Sequence, residues 1–422
     1  ALYDFDASLS LHASDANTLY NKANALRKMG KFHEAECSYK KSVQIEPNSA
    51  PVHNNRGNNL YSLGRHEEAI ESFYASIAIK SDYAMPYNGL GVALQCLGRF
   101  YDALENFDIA SKLDTNFPDA LLNKGMLLML FGDFSEGSRL YEWRHLQGKE
   151  SSENLPDTFS LKFGSDLRGS HVVVHPEQGL GDYIQFCRYV PMLIEAGARV
   201  TLITPEPLKN LVCDLHPDID LRDTGEVVKS CHFLCPIMSL PFALGIRSET
   251  ICGAAYLNAD QNKVEKWVDR LGVKTKKRIG LAWSGNPAHK NDHNRSMALT
   301  ELLPIVDQSF EWHSLQQHYR DVDVDAMKQS PLIVNHSDYL TDFSETAALI
   351  ECLDLVITVD TSVAHLAGAM GKPVWILLPE RPDFRWLLDG SKSAWYNSAR
   401  LYRQKIQGDW SGVVRSLVED LC

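Results

Sequence analysis

Three polar clusters in this 422-residue chain combine residue types that act on phosphate esters and hydroxyls. The densest runs Val359-Asp360-Thr361-Ser362-Val363-Ala364-His365, where a long apolar run ends in Asp-Thr-Ser and a helical pattern begins. Hydroxyls and unpaired backbone N–H groups at a helix N-terminus suit a diphosphate or phosphodiester, and a histidine one turn in can donate to a phosphate or leaving group. The same residues also read as an Asp/Thr cap followed by a satisfied helix histidine. The second cluster is Glu177-Gln178-Gly179-Leu180-Gly181-Asp182. Its glycines allow a tight strand-to-helix turn, and Asp182 falls in the first helical turn, either as a cap or as a catalytic carboxylate. The third spans Trp283 to Ser296 (WSGNPAHKNDHNRS) and carries Lys290 and Arg295. Such a loop can clamp a phosphate by charge-assisted hydrogen bonds, though a solvated loop has the same composition. Gln316, in Ser314-Leu315-Gln316-Gln317, offers an amide able to read a base or ribose, and Asp342-Phe343-Ser344-Glu345-Thr346 has helix-capping chemistry.

No metal is expected. The histidines of the third cluster lack a matching acidic or thiolate set, and Cys231-His232-Phe233-Leu234-Cys235 lacks a second ligand pair nearby. The latter segment reads as a buried strand.

These clusters sit among short β-branched runs alternating with helical stretches: 171–175, 199–204, 232–237, 278–283, 311–315, 332–335, 353–359 and 374–378. Apolar strands separated by helices indicate parallel sheets covered on both faces. The basic run Lys274-Thr275-Lys276-Lys277-Arg278 before a fresh strand reads as a hinge between two α/β halves, about 165–270 and 278–395, with a C-terminal helical segment over the last 25 or so residues. Facing doubly wound sheets bind ligands at the carboxyl ends of their strands, so the residues just after each strand are the first candidates.

The front third has a different grammar. Gly30, Gly64, Gly98 and Gly132 lie 34 residues apart, and Ala23, Gly57, Gly91, Gly125 and Tyr39, Phe73, Phe107, Tyr141 keep the same step. A 34-residue unit with small residues inside two helices and glycine at the turn is the tetratricopeptide pattern, whose stacked helices form a concave face for an extended peptide. The repeats run 16–49, 50–83, 84–117 and 118 to about 150, followed by a polar linker, Gly148 to Asn154. Three domains result: a repeat arm over 1–150, a first Rossmann-like domain over 151–275, and a second over 276–422.

The net charge of −12 argues against a nucleic-acid partner. No apolar run reaches the length of a membrane span, and nine scattered cysteines suit a reducing cytoplasm.

Four segments together, PEQGLGDYIQFCRYVP (176–191), GLAWSGNPAHKNDHNRS (280–296), VDTSVAHLAGAMGKPVW (359–375) and DFRWLLDGSKSAWY (383–396), resemble the bacterial heptosyltransferase type of GT-B glycosyltransferase, here joined to a tetratricopeptide arm. The resemblance implies an α-helical solenoid followed by a GT-B fold, two Rossmann-like domains facing a cleft. It implies Asp182 as general base and Asp360, Thr361, Ser362 and His365 as the donor-phosphate element, with Ser362 where such enzymes often carry Gly. The basic residue of the 284–296 loop matches Lys290 or Arg295, with Arg295 preferred; Ser284, Gly285 and Asn286 join the donor site. The family's ribose-gripping acid has no counterpart, and Gln316 stands in its place. The arm is similar to that of O-GlcNAc transferases, which line the concave face with asparagine at the sixth repeat position. That position holds Asn21, Asn55, Gly89 and Asn123, with Asn88 beside the exception.

The resemblance therefore implies an inverting, metal-independent transferase that moves a sugar from a nucleotide sugar to Ser or Thr of a protein held by the arm, with flagellin as one acceptor. The donor would be a CMP-activated nonulosonic acid or ADP-heptose, a co-substrate rather than a cofactor. Two other readings stand beside it: a repeat scaffold whose GT-B domain is not catalytic, and a GT-B sugar-nucleotide epimerase.

Overall fold

Glycine at each turn and a small residue within each first helix shape the front of the chain. The computed structural model describes residues 2–11, 14–146, 161–226, 228 and 230–422; the expected linker from Gly148 to Asn154 lies outside them. After a leading helix, Leu2–Leu11, helices pair as Ala16–Lys28 with Phe32–Ile45, Ala50–Ser62 with His66–Ile79, Ala84–Cys96 with Phe100–Leu113, and Pro118–Leu130 with Phe134–Tyr141. Gly30, Gly64, Gly98 and Gly132 all have φ between 72° and 90°, the left-handed conformation that ends a helix at little cost only in glycine. The 34-residue step recurs in the packing, since Ser42 Oγ donates to the Ala16 carbonyl (2.9 Å) and Ser76 Oγ to that of Ala50 (2.8 Å).

Phe73 and Phe107 are wholly buried against the small positions. A Cβ on Gly91 would stand 2.5 Å from Phe107 Cε1. Gly91→Ala therefore sets two effects against each other: about 1 kcal/mol of helix propensity gained, about 1–3 kcal/mol lost to overpacking. A buried ring edge cannot swing aside, so we expect a lower melting temperature. Gly412 in the helix Ser411–Leu421 faces open space, and Gly412→Ala should melt at or above the wild type. A Gly91→Ala chain as stable as Gly412→Ala would contradict the packing.

The chain divides into two compact units. The first holds the repeat helices apart from the short stretch Met129–Ser135, and the second holds that stretch together with the ten strands described below. The second unit contains two all-parallel sheets. Strands β1 (His171–His175), β2 (Arg199–Thr204), β3 (Ile219–Asp223) and β4 (Phe233–Pro236) form one, in the order β3-β2-β1-β4. Strands β5 (Arg278–Ala282), β6 (Glu311–Ser314), β7 (Ile333–Val334), β8 (Leu355–Val359), β9 (Val374–Leu378) and β10 (Ala399–Arg403) form the other, in the order β10-β9-β8-β5-β6-β7. A helical repeat array followed by this parallel α/β architecture has the character of a GT-B protein. Around β5, β6 and β8 lies a core of Ile279, Leu281, Trp283, Trp312 and Ile357, which the C-terminal helix closes with Val413, Val414 and Leu417.

Eight of the ten strands coincide with the apolar runs of the sequence. The segment 231–237 does form β4, but not as a buried strand: it lies at the sheet edge with Leu234 exposed. The last 25 residues are not helical throughout, because β10 occupies Ala399–Arg403 before the final helix. Both β3 and β10 escape the apolar pattern for the same reason. They are edge strands with charged residues at outward positions (IDLRD, ARLYR), so burial is broken along them.

Candidate active site

Strand order reverses at two places in the second unit: beside β1, flanked by β2 and β4, and beside β5, flanked by β6 and β8. Ligands of doubly wound sheets bind outside the carboxyl ends of strands at such points. Asp182 follows β1, Ser284 and Gly285 follow β5, and Asp360 follows β8. The two points meet. A Cβ on Gly181 would lie 3.0 Å from His365 Cδ2 and 3.4 Å from the Ser362 backbone, so glycine there lets the first turn approach the helix Ser362–Ala369.

Asp182 is the third residue of the helix Leu180–Phe186 and is both cap and charge partner. Gly179 N–H donates to its Oδ2 (2.8 Å), while Oδ1 accepts from Arg385 Nη2. Arg385 is buried, and also donates through Nε to Gln185 Oε1 (2.7 Å) and through Nη1 to Asp383 Oδ1 (2.6 Å).

Opposite, Thr361 caps the helix Ser362–Ala369, its Oγ1 accepting from Val363 N–H (3.3 Å). Arg295 Nη1 donates to the Asp360 carbonyl (3.0 Å). Burial, and then the nearby Asp383 charge, push the Asp360 carboxyl up to about 6, so it carries its charge at neutral pH at a desolvation cost. His365 is buried, with Nδ1 2.9 Å from Tyr396 Oη, its ring stacked on Trp386 at 5.3 Å and Nε2 4.0 Å from Asp360 Oδ1. Burial, reinforced by the Arg385, Arg188 and Arg295 charges, holds it far below the usual histidine range. It is a neutral imidazole, able to bond an anion as an N–H donor but not as a cation.

The 284–296 loop folds onto its own charges. Asp292 accepts from Ser296 Oγ (2.8 Å) and pairs with Arg320 and Arg295 (Nε, 3.5 Å), and Ser296 Oγ accepts from Gly285 N–H (3.0 Å). A Cβ on Gly285 would meet Arg295 Nη2 at 2.7 Å, so this glycine makes room for the guanidinium. Lys290 stands exposed, as does Asn286, whose Oδ1 accepts from Ala288 N–H (3.0 Å). Gln316 is buried beside Ser284, its Nε2 donating to Ser284 Oγ (2.9 Å) and to the His318 carbonyl (3.2 Å). Asp182, Asp360, Thr361, Ser362, His365 and Arg295 thus converge, and Ser284, Gly285 and Gln316 line the adjoining end of β5 and β6. Residues that the sequence alone does not single out are Arg385, Asp383, Gln185, Asp292 and Arg320. The signal for the first two lies in the DFRW segment, which follows the end of β9 as the other clusters follow theirs.

On the arm, Asn55 Nδ2 donates to Tyr20 Oη (2.8 Å) and Asn24 Oδ1 (3.0 Å), and Asn123 Nδ2 donates to Asn88 Oδ1 (3.0 Å). Asn21 is exposed on the helix Ala16–Lys28. The half-buried asparagines therefore form amide rungs from one repeat to the next.

Residues 16–49 match a tetratricopeptide repeat family, residues 57–98 match a TPR repeat family, and residues 340–379, which include β8 and the Asp360–His365 element, match glycosyltransferase family 9 (heptosyltransferase). The chain thus joins stretches similar to tetratricopeptide repeats to a stretch similar to glycosyltransferase family 9. That match supports glycosyltransferase activity for the region around β8. Protein FlbA of Caulobacter vibrioides is 24% identical over 316 residues, 68% of this chain and 52% of that protein, so the chain spans about half the length of this curated relative. Solved structures share partial likeness: MamA of Desulfovibrio magneticus RS-1, 19% identical over 35% of this chain and 86% of that one (TM-score 0.32), and YrrB, described as a TPR protein with an unusual peptide-binding site, 22% identical over 35% and 76% (TM-score 0.31). Among the described residues no helix is long and apolar enough to cross a membrane, and none of their His, Cys, Asp and Glu side chains group in threes to hold a metal.

Proposed function

We propose that the second unit is an inverting, metal-independent glycosyltransferase acting on Ser or Thr of a protein segment presented by the repeats. What supports this is one juxtaposition: the turn at the β1 switch point that carries the Asp182 carboxylate packs against the helix N-terminus at the β8 end, where Arg295 reaches the Asp360 carbonyl. The nucleotide sugar lies along the ends of β5, β6 and β8, its phosphate at Thr361–Ser362 and its ribose or base toward Ser284 and Gln316. The acceptor oxygen attacks the anomeric carbon as the bond to the phosphate oxygen breaks. Asp182 takes the hydroxyl proton, and the leaving phosphate gains negative charge opposite Arg295 and the positive end of the helix dipole. A single displacement of this kind inverts the anomeric centre. Asn21, Asn55, Asn88 and Asn123 hold the acceptor backbone. Flagellin is our candidate acceptor, and a CMP-activated nonulosonic acid or ADP-heptose our candidate donor.

The test is thermal unfolding of the full chain with CMP, UDP, GDP or ADP, alongside Arg295→Ala. One nucleotide should stabilise the wild type by about 2.7 kcal/mol at 100-fold excess over its dissociation constant. The variant should need markedly more of it. No shift with any nucleotide would favour a repeat scaffold with a non-catalytic domain.

A further inference from the structure

An attacking hydroxyl must reach a lone pair of Asp182, and each of its oxygens already accepts one hydrogen bond, Oδ2 from Gly179 N–H and Oδ1 from the Arg385 cation. The guanidinium comes from the opposite half of the cleft, on the segment after β9, and its three nitrogens hold Asp182, Gln185 and Asp383. Arg385 is also one of the charges that keep His365 neutral and that favour ionised Asp360, so it acts at the same helix N-terminus where a donor phosphate would lie. A guanidinium forks as readily onto phosphate as onto carboxylate. Two carboxylates now share it, and an incoming anion competes with both.

Backbone strain marks both segments. Gln178 and Leu387 are the described non-glycine residues with φ in the left-handed region, at 58° and 57°. One precedes the turn that carries Asp182 and the other follows Arg385. Strain of this sort costs about 1–3 kcal/mol per residue and persists where the surroundings hold it, most often at ligand clamps and switches.

Resting on the transferase reading above, we propose that Arg385 is a positioning residue that exchanges partners: without donor it pairs with Asp182, and the donor's anionic group takes it over, releasing Asp182 Oδ1 to accept the acceptor's proton. The exchange breaks one ion pair and forms another, with no covalent step. It arms the base only when the donor is seated, so donor binding precedes productive acceptor binding. It also makes Asp182 an antagonist of donor binding, the opposite of what a simple clamp between the halves would be.

The experiment is isothermal titration calorimetry of the full chain with ADP and with CMP as probes. For whichever probe binds, Asp182→Asn should bind about 10-fold more tightly than wild type, because a neutral carboxamide with one oxygen competes far less for the guanidinium than a carboxylate does. Arg385→Lys should bind more weakly, and the double variant should lose the tightening. Asp182→Asn is isosteric and decides the sign by itself should Arg385→Lys fail to fold. Equal or weaker binding by Asp182→Asn, or a tightening that survives in the double variant, overturns the exchange while leaving the transferase reading standing. A probe that binds no version of the protein removes the nucleotide site, and the exchange with it. A pure clamp would show a lowered melting temperature in Asp182→Asn with no gain in affinity.

Discussion

Asp182→Asn should lower the turnover number for sugar transfer by about 10²–10⁴-fold, the usual contribution of a positioned general base. The carboxamide keeps a single oxygen, for either the Gly179 N–H or Arg385, and cannot take the acceptor's proton at neutral pH. The loss should fall on the turnover number and not on nucleotide affinity, which the released Arg385 should if anything raise. Transfer is read by mass spectrometry of the modified acceptor, using the donor whose nucleotide stabilises the protein. Turnover within about 10-fold of wild type would take Asp182 out of the base role and point to another group or to solvent.

Asp360→Asn should move stability and binding in opposite directions. In the folded chain this carboxyl titrates at about 6 instead of its ordinary 3.8, because it is buried beside Asp383. Between those pH values the folded chain holds a proton that the unfolded chain has released, so stability falls as pH rises through the window and the full penalty is present above it. The asparagine has no charge to desolvate. At pH 7 the variant should therefore be more stable than wild type by about 1–3 kcal/mol, and the difference should shrink toward zero as pH drops from 6 to 4. Its affinity for the nucleotide should fall by at least about 10-fold if Asp360 grips the donor. Chemical denaturation at several pH values, paired with calorimetry, reads both effects. A wild type more stable than the variant at pH 7, or a difference that ignores pH, would show that the charge is well solvated or fully paired. A residue retained at a cost to stability is what a site built for a ligand is expected to show.

His313 and His336 titrate with the opposite sense elsewhere in the unit. Burial pushes both rings down to about 4, with Nδ1 of the first 3.0 Å from Nε2 of the second. They cost folding nothing above the ordinary histidine range and oppose it increasingly as pH falls toward 4, where the unfolded chain takes up the protons first. Comparing Asp360→Asn with wild type cancels their effect, since both chains carry the pair.

The 34-residue repeat, the parallel strands and the loops after β1, β5 and β8 are legible in the order of residues. Each rests on a local physical rule. Only glycine ends four helices cheaply in the left-handed region, small residues admit Phe73 and Phe107, and interior strands buried on both faces must be continuously apolar. Where that rule relaxes, the sequence falls silent: β3 and β10 are edge strands with charged outward positions, and β4 keeps its strand but exposes Leu234. Tertiary structure alone decided which charges meet. Arg385 reaches Asp182 across 203 positions of chain, and Arg295 rather than Lys290 reaches the Asp360 carbonyl. It also decided the state of those groups. Asp360 and His365 carry ordinary side chains in the sequence, and only burial beside other charges raises the first and neutralises the second. Periodicity is set by backbone geometry over a few residues and is written locally, whereas charge pairing and desolvation depend on segments that folding alone brings together.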